Sequence, residues 1–490
     1  MFSRDTHKRS ATGDRPIGTT GPTQQTWFLL ILLCVAQFMV IIDATVVNVA
    51  LPSIGRALRF ATPADLQWVV TAYVLVTGGL TLLGGRMADL LNRRRLFLLG
   101  LLLFTAASLA TGLAPSPTLL ILSRAAQGLG AALLTPAALS ILTTTYAGAR
   151  RATALAVWGA LGAAGAAVGV VLGGVLTSWL GWQWVFFINV PIGTAAATIG
   201  LFTVPTSPPS TGRVRDLDVG GALLLIAGLV MFAFAITAGT AHGWASAQTL
   251  LSLVVAAALL ATFAFVERRV RQPIIPPSTW RVRSLVSGNA VYLGASAVMG
   301  GAFFLSSLYL QRVLGATAWQ TGLAFLPLAL AVAVGGKVAS RLVAHAGMRA
   351  VLLLGLVIEG GGAVLLAHVP SDATYVANVL PGFVAIGFGL GFSFVAAPVI
   401  VMAAVRGEDA GMASGLMQTA HEVGISLGVA FLSAIATAAA ASAGLAAGFR
   451  WAMLAAAAVA GLLAAASLLA VPAIRPAGST SRGTFAGETP

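Results

Sequence analysis

Fourteen apolar runs of membrane-spanning length fill almost the whole of this 490-residue chain. A helix that crosses a bilayer needs about 20 apolar residues, because each residue adds about 1.5 Å along the axis. Hydrophobic residues make up 58% of the chain and charged residues only 9%, which excludes a soluble domain of ordinary size. The sequence therefore predicts an all-α polytopic membrane protein. The runs lie at 27–51, 66–84, 96–114, 119–142, 151–176, 184–204, 219–239, 247–266, 284–310, 320–340, 349–368, 376–402, 410–438 and 449–471.

The basic residues are concentrated in every second loop. If the N-terminal tail is cytoplasmic, the only Lys or Arg residues in loops on the opposite side are Arg56, Arg59, Arg312 and Arg450. By the positive-inside rule, both termini are predicted to be cytoplasmic. The net charge of +14 then reflects topology and contact with the lipid bilayer rather than binding of nucleic acid. The 26 arginines against 2 lysines suggest a GC-rich gene, so we expect a multi-pass protein of a bacterial plasma membrane.

Two segments of the chain repeat each other. Gly-Arg-Met-Ala-Asp-Leu-Leu at 85–91 matches Gly-Lys-Val-Ala-Ser-Arg-Leu at 336–342, and Gly-Leu-Gly at 128–130 matches 389–391. Such repeats build many secondary transporters. We predict a tail at 1–26, a six-helix half at 27–204, two inserted helices within 205–275, a second six-helix half at 276–472 and a tail at 473–490. One chain suffices for this architecture, so a functional monomer is expected.

Four stretches in the N-terminal half carry a family resemblance. They are Ile42–Pro52, Gly85–Arg95, Leu122–Gly130 and Trp182–Gly193. Together they resemble the motifs of the major facilitator superfamily, specifically its fourteen-helix drug:proton antiporter branch. The resemblance implies the major facilitator fold, efflux of drugs or antibiotics, and a proton gradient as the energy source, with no cofactor and no metal.

The fifth run departs from the pattern of that branch. Val170 stands where the antiporter motif has a proline. Gly162, Gly165, Gly169 and Gly173 still recur every three or four residues, which predicts a smooth face for close helix packing. The missing proline leaves open a proton symporter that takes up a small metabolite. A membrane receptor that transports nothing is a third interpretation.

Few ionisable residues lie inside the runs. They are Asp43, Arg124, Glu359 and Glu422, with His421 beside the last. Each charge costs roughly 2.5 to 3.5 kcal/mol to insert, so such groups seldom face lipid. We predict that Asp43, Glu359 and Glu422 couple transport to protons, with Asp43 as the first choice, since a carboxylate that differs in proton affinity between two states loads and releases one proton per cycle. The family resemblance implies that Arg124 assists this proton transfer. The alternative is structural: ion pairs or hydrogen bonds between packed helices.

Helical spacing predicts a substrate cavity. At about 100° per residue, Gln37 and Asn48 share a face of the first run, whereas Asp43 lies about 120° to 140° away. Either the cavity face is wide or only one of these sets lines it. Gln127 continues the polar stripe of Arg124 in the fourth run. The predicted cavity residues are Gln37, Asn48, Gln127, Asn289, Tyr292 and Gln418.

The loop after the second run predicts a conformational latch. The family motif assigns this role to Gly85, Asp89, Arg93 and Arg94, with the aspartate capping a helix or pairing with an arginine across the seam between halves. The alternative is that these arginines only set the topology.

Enzyme motifs are missing from the sequence. It contains no His-Glu-x-x-His metal helix, no Gly-x-Ser-x-Gly elbow and no phosphate loop ending in Gly-Lys-Ser/Thr. We therefore predict a transporter, not an enzyme: a proton-coupled exporter of amphipathic or cationic small molecules that works by alternating access. Its partners would be the substrate, protons and the lipid bilayer.

Overall fold

The computed structural model describes residues 24–146, 148–205, 218–270, 273, 281–370, 373–402 and 410–471. All regular structure in these residues is helical. This is expected in lipid, where every backbone polar group must find its partner within the protein. The predicted tails at 1–26 and 473–490 lie outside the described residues, apart from 24–26, which belong to the first helix.

The helices follow the apolar runs in order. Twelve helices in the described residues are long and apolar enough to cross a membrane. Most extend a few residues beyond their runs, because helical backbone continues into the polar interface on either side. That count takes the last helix as one and leaves out Gly148–Trp179, of which Val168–Trp179 is a shorter apolar helix. In chain order, the helices before the last are α1 (Gln24–Ala57), α2 (Trp68–Leu90), α3 (Arg93–Gly112), α4 (Pro117–Thr145), α5 (Gly148–Trp179), α6 (Asn189–Thr203), α7 (Val219–His242), α8 (Ala247–Glu267), α9 (Arg283–Arg312), α10 (Ala318–Ala346), α11 (Met348–Ala367) and α12 (Leu380–Met402).

A glycine divides the last helix. Ala410–Ala470 is 61 residues long, about three times the length that a bilayer requires. Gly444 within it has φ 84° and ψ 171°, a conformation that only glycine adopts readily. The chain turns there, giving α13 (410–443) and α14 (445–470). Each of the fourteen predicted runs thus has its helical segment, and the predicted fold class is confirmed.

Side chains at the loop ends start several helices. Asn92 accepts a hydrogen bond from the Arg95 amide at the start of α3, and Ser116 does the same for Leu119 at α4. Thr317 and Gln320 form a reciprocal capping box at α10. These caps satisfy amides that the first helical turn leaves without a partner.

The two halves pair their helices in the same way. In the first half α1 packs on α5, and α4 packs on both α2 and α3. In the second half α9 packs on α13, and α12 packs on both α10 and α11. Glycines permit the close approach, since a Cβ on Gly301 would lie 2.8 Å from the Gly428 carbonyl oxygen of α13.

The small residues of α5 pack closely against α1. A Cβ at Gly165 would lie 2.7 Å from Ile41 Cγ2 of α1, and one at Gly173 would lie 2.7 Å from the Val46 carbonyl oxygen. Gly169 contacts Thr45, which also belongs to α1. The surroundings of Gly162 lie outside the described residues.

Val170 lies on the other side of α5. A Cβ on Gly322 of α10 would approach the Val170 carbonyl oxygen to 2.5 Å. The position where the family motif has a proline is therefore in close helix contact across the two halves. Valine keeps the backbone N–H that a proline at this position would lack, so the hydrogen bonding of the helix is not interrupted. α5 runs unbroken from Gly148 to Trp179.

The halves meet at one end of the bundle. Ser307 Oγ donates to the Asn48 carbonyl oxygen at 2.5 Å, and Gln311 Nε2 donates to the Val49 carbonyl oxygen at 2.9 Å. Near the end of α5, Ser178 Oγ accepts from the Trp319 amide at 3.0 Å. All of these contacts lie on the side of the membrane opposite the start of α1. These hydrogen bonds join the two halves on that side.

The inserted pair covers one seam between the halves. α7 and α8 pack on each other, and α7 also contacts α2 of the first half and α13 of the second. A buried hydrogen bond of 2.7 Å joins Gln67 Nε2, just before α2, to Thr237 Oγ1 of α7. Leu229 and Ala233 pack with Val423 of α13 in one apolar cluster. The inserted helices therefore close the lipid side of the α2–α13 seam.

We expect Gly173→Leu to destabilise the fold, because its Cβ would meet the backbone of α1 in a tightly packed interface. The cost is about 1–3 kcal/mol and is measured as a lower melting temperature in detergent. Gly361→Leu is the matched control, since a Cβ on Gly361 of α11 meets nothing within 4 Å. Equal melting temperatures for the two variants would contradict the proposed α1–α5 contact.

Candidate functional site

An ion pair lies in the interior of the first half. Arg124 Nη1 of α4 is 2.5 Å from Asp43 Oδ2 of α1, and the two side chains are 1% and 0% exposed. Gln127 Oε1 accepts from the same Arg124 nitrogen at 2.7 Å. A buried charge without a partner costs several kcal/mol, so each member of this pair requires the other.

Two side-chain amides and one hydroxyl complete the cluster around Asp43. Its Oδ1 accepts from Gln127 Nε2 at 2.7 Å and from Asn189 Nδ2 at 2.8 Å. Gln127 Nε2 also donates to Ser108 Oγ of α3 at 2.6 Å. Because Asn189 begins α6, the cluster ties together α1, α3, α4 and α6. We call Asp43, Arg124, Gln127, Asn189 and Ser108 the buried polar cluster.

The second helix supports Arg124 from the other side. Arg124 Nε donates to the Val69 carbonyl oxygen at 3.0 Å, and its Cζ lies 4.2 Å from the centre of the Tyr73 ring. Gly128 makes this possible, since a Cβ there would lie 2.5 Å from the Tyr73 carbonyl oxygen. A cation over an aromatic face gains further electrostatic stabilisation.

A cavity of about 460 Å³ lies between the two halves. Helices α1, α2 and α4 line it on one side, and α9, α10, α12 and α13 line it on the other. This is the size range of small-molecule sites. Its polar lining from the first half is Gln37, Thr45, Asn48, Tyr73, Thr77, Thr81 and Thr135, and that from the second half is Tyr292, Gln418, His421 and Glu422.

Glu422 is the acid on the cavity wall. Its Oε1 accepts from Gln418 Nε2, one helical turn earlier on α13, at 2.9 Å. α2 lies directly against this position, because a Cβ on Gly78 would approach Glu422 Cβ to 2.5 Å. Thr419 Oγ1 donates to the Gly78 carbonyl oxygen at 2.8 Å, which fixes the contact between the halves.

His421 also faces the cavity. It shares a 2.7 Å hydrogen bond with Ser296 Oγ of α9. Its ring lies 5.4 Å from that of Tyr292 and 5.5 Å from that of Phe394. Three rings from α9, α12 and α13 therefore form one aromatic wall beside Glu422.

Glu359 belongs to neither group. It is fully buried in α11 against α12, where a Cβ on Gly389 would lie 2.6 Å from its amide nitrogen. Neither carboxyl oxygen has a hydrogen-bond partner among the described residues. It does not line the cavity.

The structure separates residues that the sequence grouped. Gln37, Asn48, Tyr292 and Gln418 line the cavity. Gln127 does not, because its amide is taken up by Asp43 and Ser108. Asn289 does not either: it lies on α9 with its Nδ2 donating to the Leu285 carbonyl oxygen at 2.8 Å.

The face of α1 that lines the cavity is narrow. Gln37, Thr45 and Asn48 lie on it, whereas Asp43 points away into the buried polar cluster. Of the two arrangements that helical spacing left open, only the Gln37 set lines the cavity. Ser108 was not among the predicted site residues, and Asn189 entered only as part of a motif. A lone amide in an apolar run is the signal that could have singled out Asn189.

The residues of the predicted latch make their contacts within the first half. Arg93 Nε donates to the Ala88 carbonyl oxygen at 3.2 Å, and Arg94 donates to the Leu201 carbonyl oxygen at the end of α6. Gly85 faces Pro136 of α4, with 3.9 Å between its ideal Cβ and the proline Cβ. The side chain of Asp89 lies outside the described residues.

The fold and the cavity between repeated halves are those of a secondary transporter. Residues 33–429 match the model of the Major Facilitator Superfamily, and the chain belongs to this family. It is 39% identical to a puromycin resistance protein of Streptomyces alboniger over 82% of this chain and 80% of that protein. It is 40% identical to a cephamycin export protein of Amycolatopsis lactamdurans over 84% and 85% of the two chains.

Solved structures share the fold. An inward-facing, occupied bacterial homologue of the human lysosomal transporter Spinster aligns with a TM-score of 0.67 at 19% identity, over 93% of this chain and 98% of that one. An autoinhibited peptide transporter of the POT family aligns with a TM-score of 0.68 at 15% identity, over 94% and 99%. At these identities the likeness shows the fold alone.

We expect Asp43→Asn to destabilise the protein, because it leaves the Arg124 charge buried without its carboxylate partner. The loss is about 3–5 kcal/mol, measured as the free energy of unfolding in mixed detergent micelles. The double variant Asp43→Asn/Arg124→Gln removes both charges and should recover most of it. Asp65→Asn, in the short helix Pro63–Leu66 outside the buried polar cluster, is the control. A double variant no more stable than Asp43→Asn would argue against a mutually dependent pair.

Proposed function

We propose that this protein exports amphipathic or cationic small molecules, such as drugs or antibiotics, in exchange for protons. The observation that carries the proposal is the position of Glu422. Its carboxyl group lines a cavity between two repeated halves, with no ion pair to a described residue. A cation or a proton can therefore occupy the same carboxylate in turn.

Asp43 is less suited to direct exchange. It is fully buried, and its oxygens accept from Arg124, Gln127 and Asn189. A proton can bind there only if these contacts loosen, which requires α1 and α4 to move. We therefore assign Glu422 to exchange at the cavity and the Asp43–Arg124 pair to a coupled change within the first half.

The relatives support export rather than uptake. The proteins compared above are named for puromycin resistance and for cephamycin export, and a lincomycin resistance protein of Streptomyces lincolnensis is 34% identical over 86% of this chain. These names refer to export of an antibiotic or to resistance against one. For this chain we infer the same direction in a bacterial plasma membrane.

The contacts between the two halves support alternating access. With both termini cytoplasmic, the contacts of Ser307 with α1 and of Ser178 with α10 lie on the extracellular side. The cavity is then shut toward the outside and receives substrate from the cytoplasm or the inner leaflet. Rocking the halves would open these contacts and close the cytoplasmic ends. One proton crossing with the membrane potential supplies about 2.3 kcal/mol per 100 mV.

We expect Glu422→Gln to abolish substrate-driven proton movement, because a neutral amide can hold neither a cation nor an exchangeable proton. The measurement is proton release from everted vesicles with a preset pH gradient, after addition of lipophilic cations. Asp65→Asn is the control acid outside the cavity. Release unchanged in Glu422→Gln would exclude it as the exchange site, and the variants Asp43→Asn and Glu359→Gln would then be tested in the same assay.

The sign of the proton movement decides the direction. An exporter releases protons from the lumen of everted vesicles when substrate enters, whereas a symporter moves protons and substrate the same way. A membrane receptor would bind ligand without any flux. Proton movement in the same direction as the substrate would reject antiport for this chain.

We also expect cationic substrates to bind more weakly as the pH falls, because protons compete with them for Glu422. Reciprocal linkage at one site limits the change to about tenfold in Kd per pH unit. The measurement is Kd of a permanently charged dye between pH 5 and 9 for the wild type and Glu422→Gln. The slope should disappear in the variant. An equal slope in both proteins would assign the competition to another group.

A further inference from the structure

The two walls of the cavity differ in charge. Among the described residues that line it, the first half contributes only neutral polar groups, such as Gln37, Thr77 and Thr135. The second half contributes Glu422 as its one carboxylate. The other acid of the central helices, Asp43, is neutralised by Arg124 behind the wall of the first half. A ligand with one positive charge therefore matches the cavity better than one with two.

The apolar part of the ligand also has a defined place. Tyr292 and Phe394 contact edge to face with 5.3 Å between ring centres, and His421 packs on both. The bond from His421 to Ser296 holds this aromatic wall next to Glu422. A flat ring with its charge near Glu422 would rest on these side chains.

Gln37 lies on the wall opposite Glu422, and its side chain differs from the other polar side chains of that wall in its hydrogen bonding. Thr45 donates to carbonyl oxygens of its own helix, as do Thr77 and Thr81. Asn48 donates to the Ala44 carbonyl oxygen at 3.1 Å. The Gln37 amide has no such bond within the described part of the chain, and its Oε1 is buried without a partner. A polar group left unsatisfied next to a cavity is costly unless a ligand or water completes it.

We propose that the ligand is a flat monocation that carries a second, neutral hydrogen-bonding group, and that Gln37 recognises this group. The inference rests on the proposed function, since it takes the cation to lie at Glu422. Gln37 belongs to the first half and Glu422 to the second. A ligand that satisfies both therefore bridges the two halves, whereas a simple lipophilic cation contacts only one of them through a polar group.

A matched pair of dyes tests this recognition. Ethidium is a permanent monocation with a flat ring and two neutral amino groups, and 5-ethyl-6-phenylphenanthridinium keeps the ring and charge but lacks both amino groups. With the full-length protein in detergent, ethidium should bind roughly three- to tenfold more tightly, the effect of one neutral hydrogen bond. In Gln37→Met the ratio should fall to about one. The control Gln248→Met, at an exposed position of α8, should keep the wild-type ratio.

A second variant keeps the test independent of a folding defect. Gln37→Glu adds a carboxylate to the first half, so propidium, the dicationic relative of ethidium, should gain roughly tenfold over ethidium. Equal binding of the two dyes by the wild type, or a preference that survives Gln37→Met, would overturn the role of Gln37. If ethidium binds equally well to the wild type and to Glu422→Gln, or binds neither, the proposed cation site itself fails, and this inference fails with it.

Discussion

The ion pair between Asp43 and Arg124 is the contact on which the first half of the protein depends. Two opposite charges can lie within a membrane only when each compensates the other and when hydrogen bonds occupy their remaining polar atoms. Gln127, Ser108 and Asn189 provide those bonds from three helices. The arrangement of α1, α3, α4 and α6 therefore follows in large part from the need to enclose one pair of charges.

The chemistry of the cavity depends on the same pair. With Asp43 withdrawn behind α1, Glu422 is left as the carboxylate that faces the central space. α2 contacts both sites: Tyr73 stacks on Arg124, and Gly78, just over one turn later, lies against Glu422. A movement of α13 relative to the first half must therefore pass along a helix that also touches the ion pair. For the exporter that we propose, this connection would be the physical route between substrate binding and a proton-dependent change.

Prediction from sequence succeeded for features that depend only on residues close together along the chain. Hydrophobicity over about 20 residues indicated helices long enough to cross a membrane, and the helical repeat placed Gln37 and Asn48 on one face of α1, where both line the cavity. It was wrong about Gln127, which shares a stripe with Arg124 on α4. Helical spacing states which residues share a face but not which helix that face meets. For the same reason Ser108 could not be connected with Gln127, because nothing local joins α3 to this part of α4.

By itself the sequence determined the membrane environment and the all-helical class of the fold, because both follow from local hydrophobicity. Only the tertiary structure decided the role of each polar group inside the spans. Asp43 lies 81 residues from Arg124 and 146 from Asn189 along the chain. A buried charge is stable only beside its partner, and which residues become partners depends on how distant helices pack.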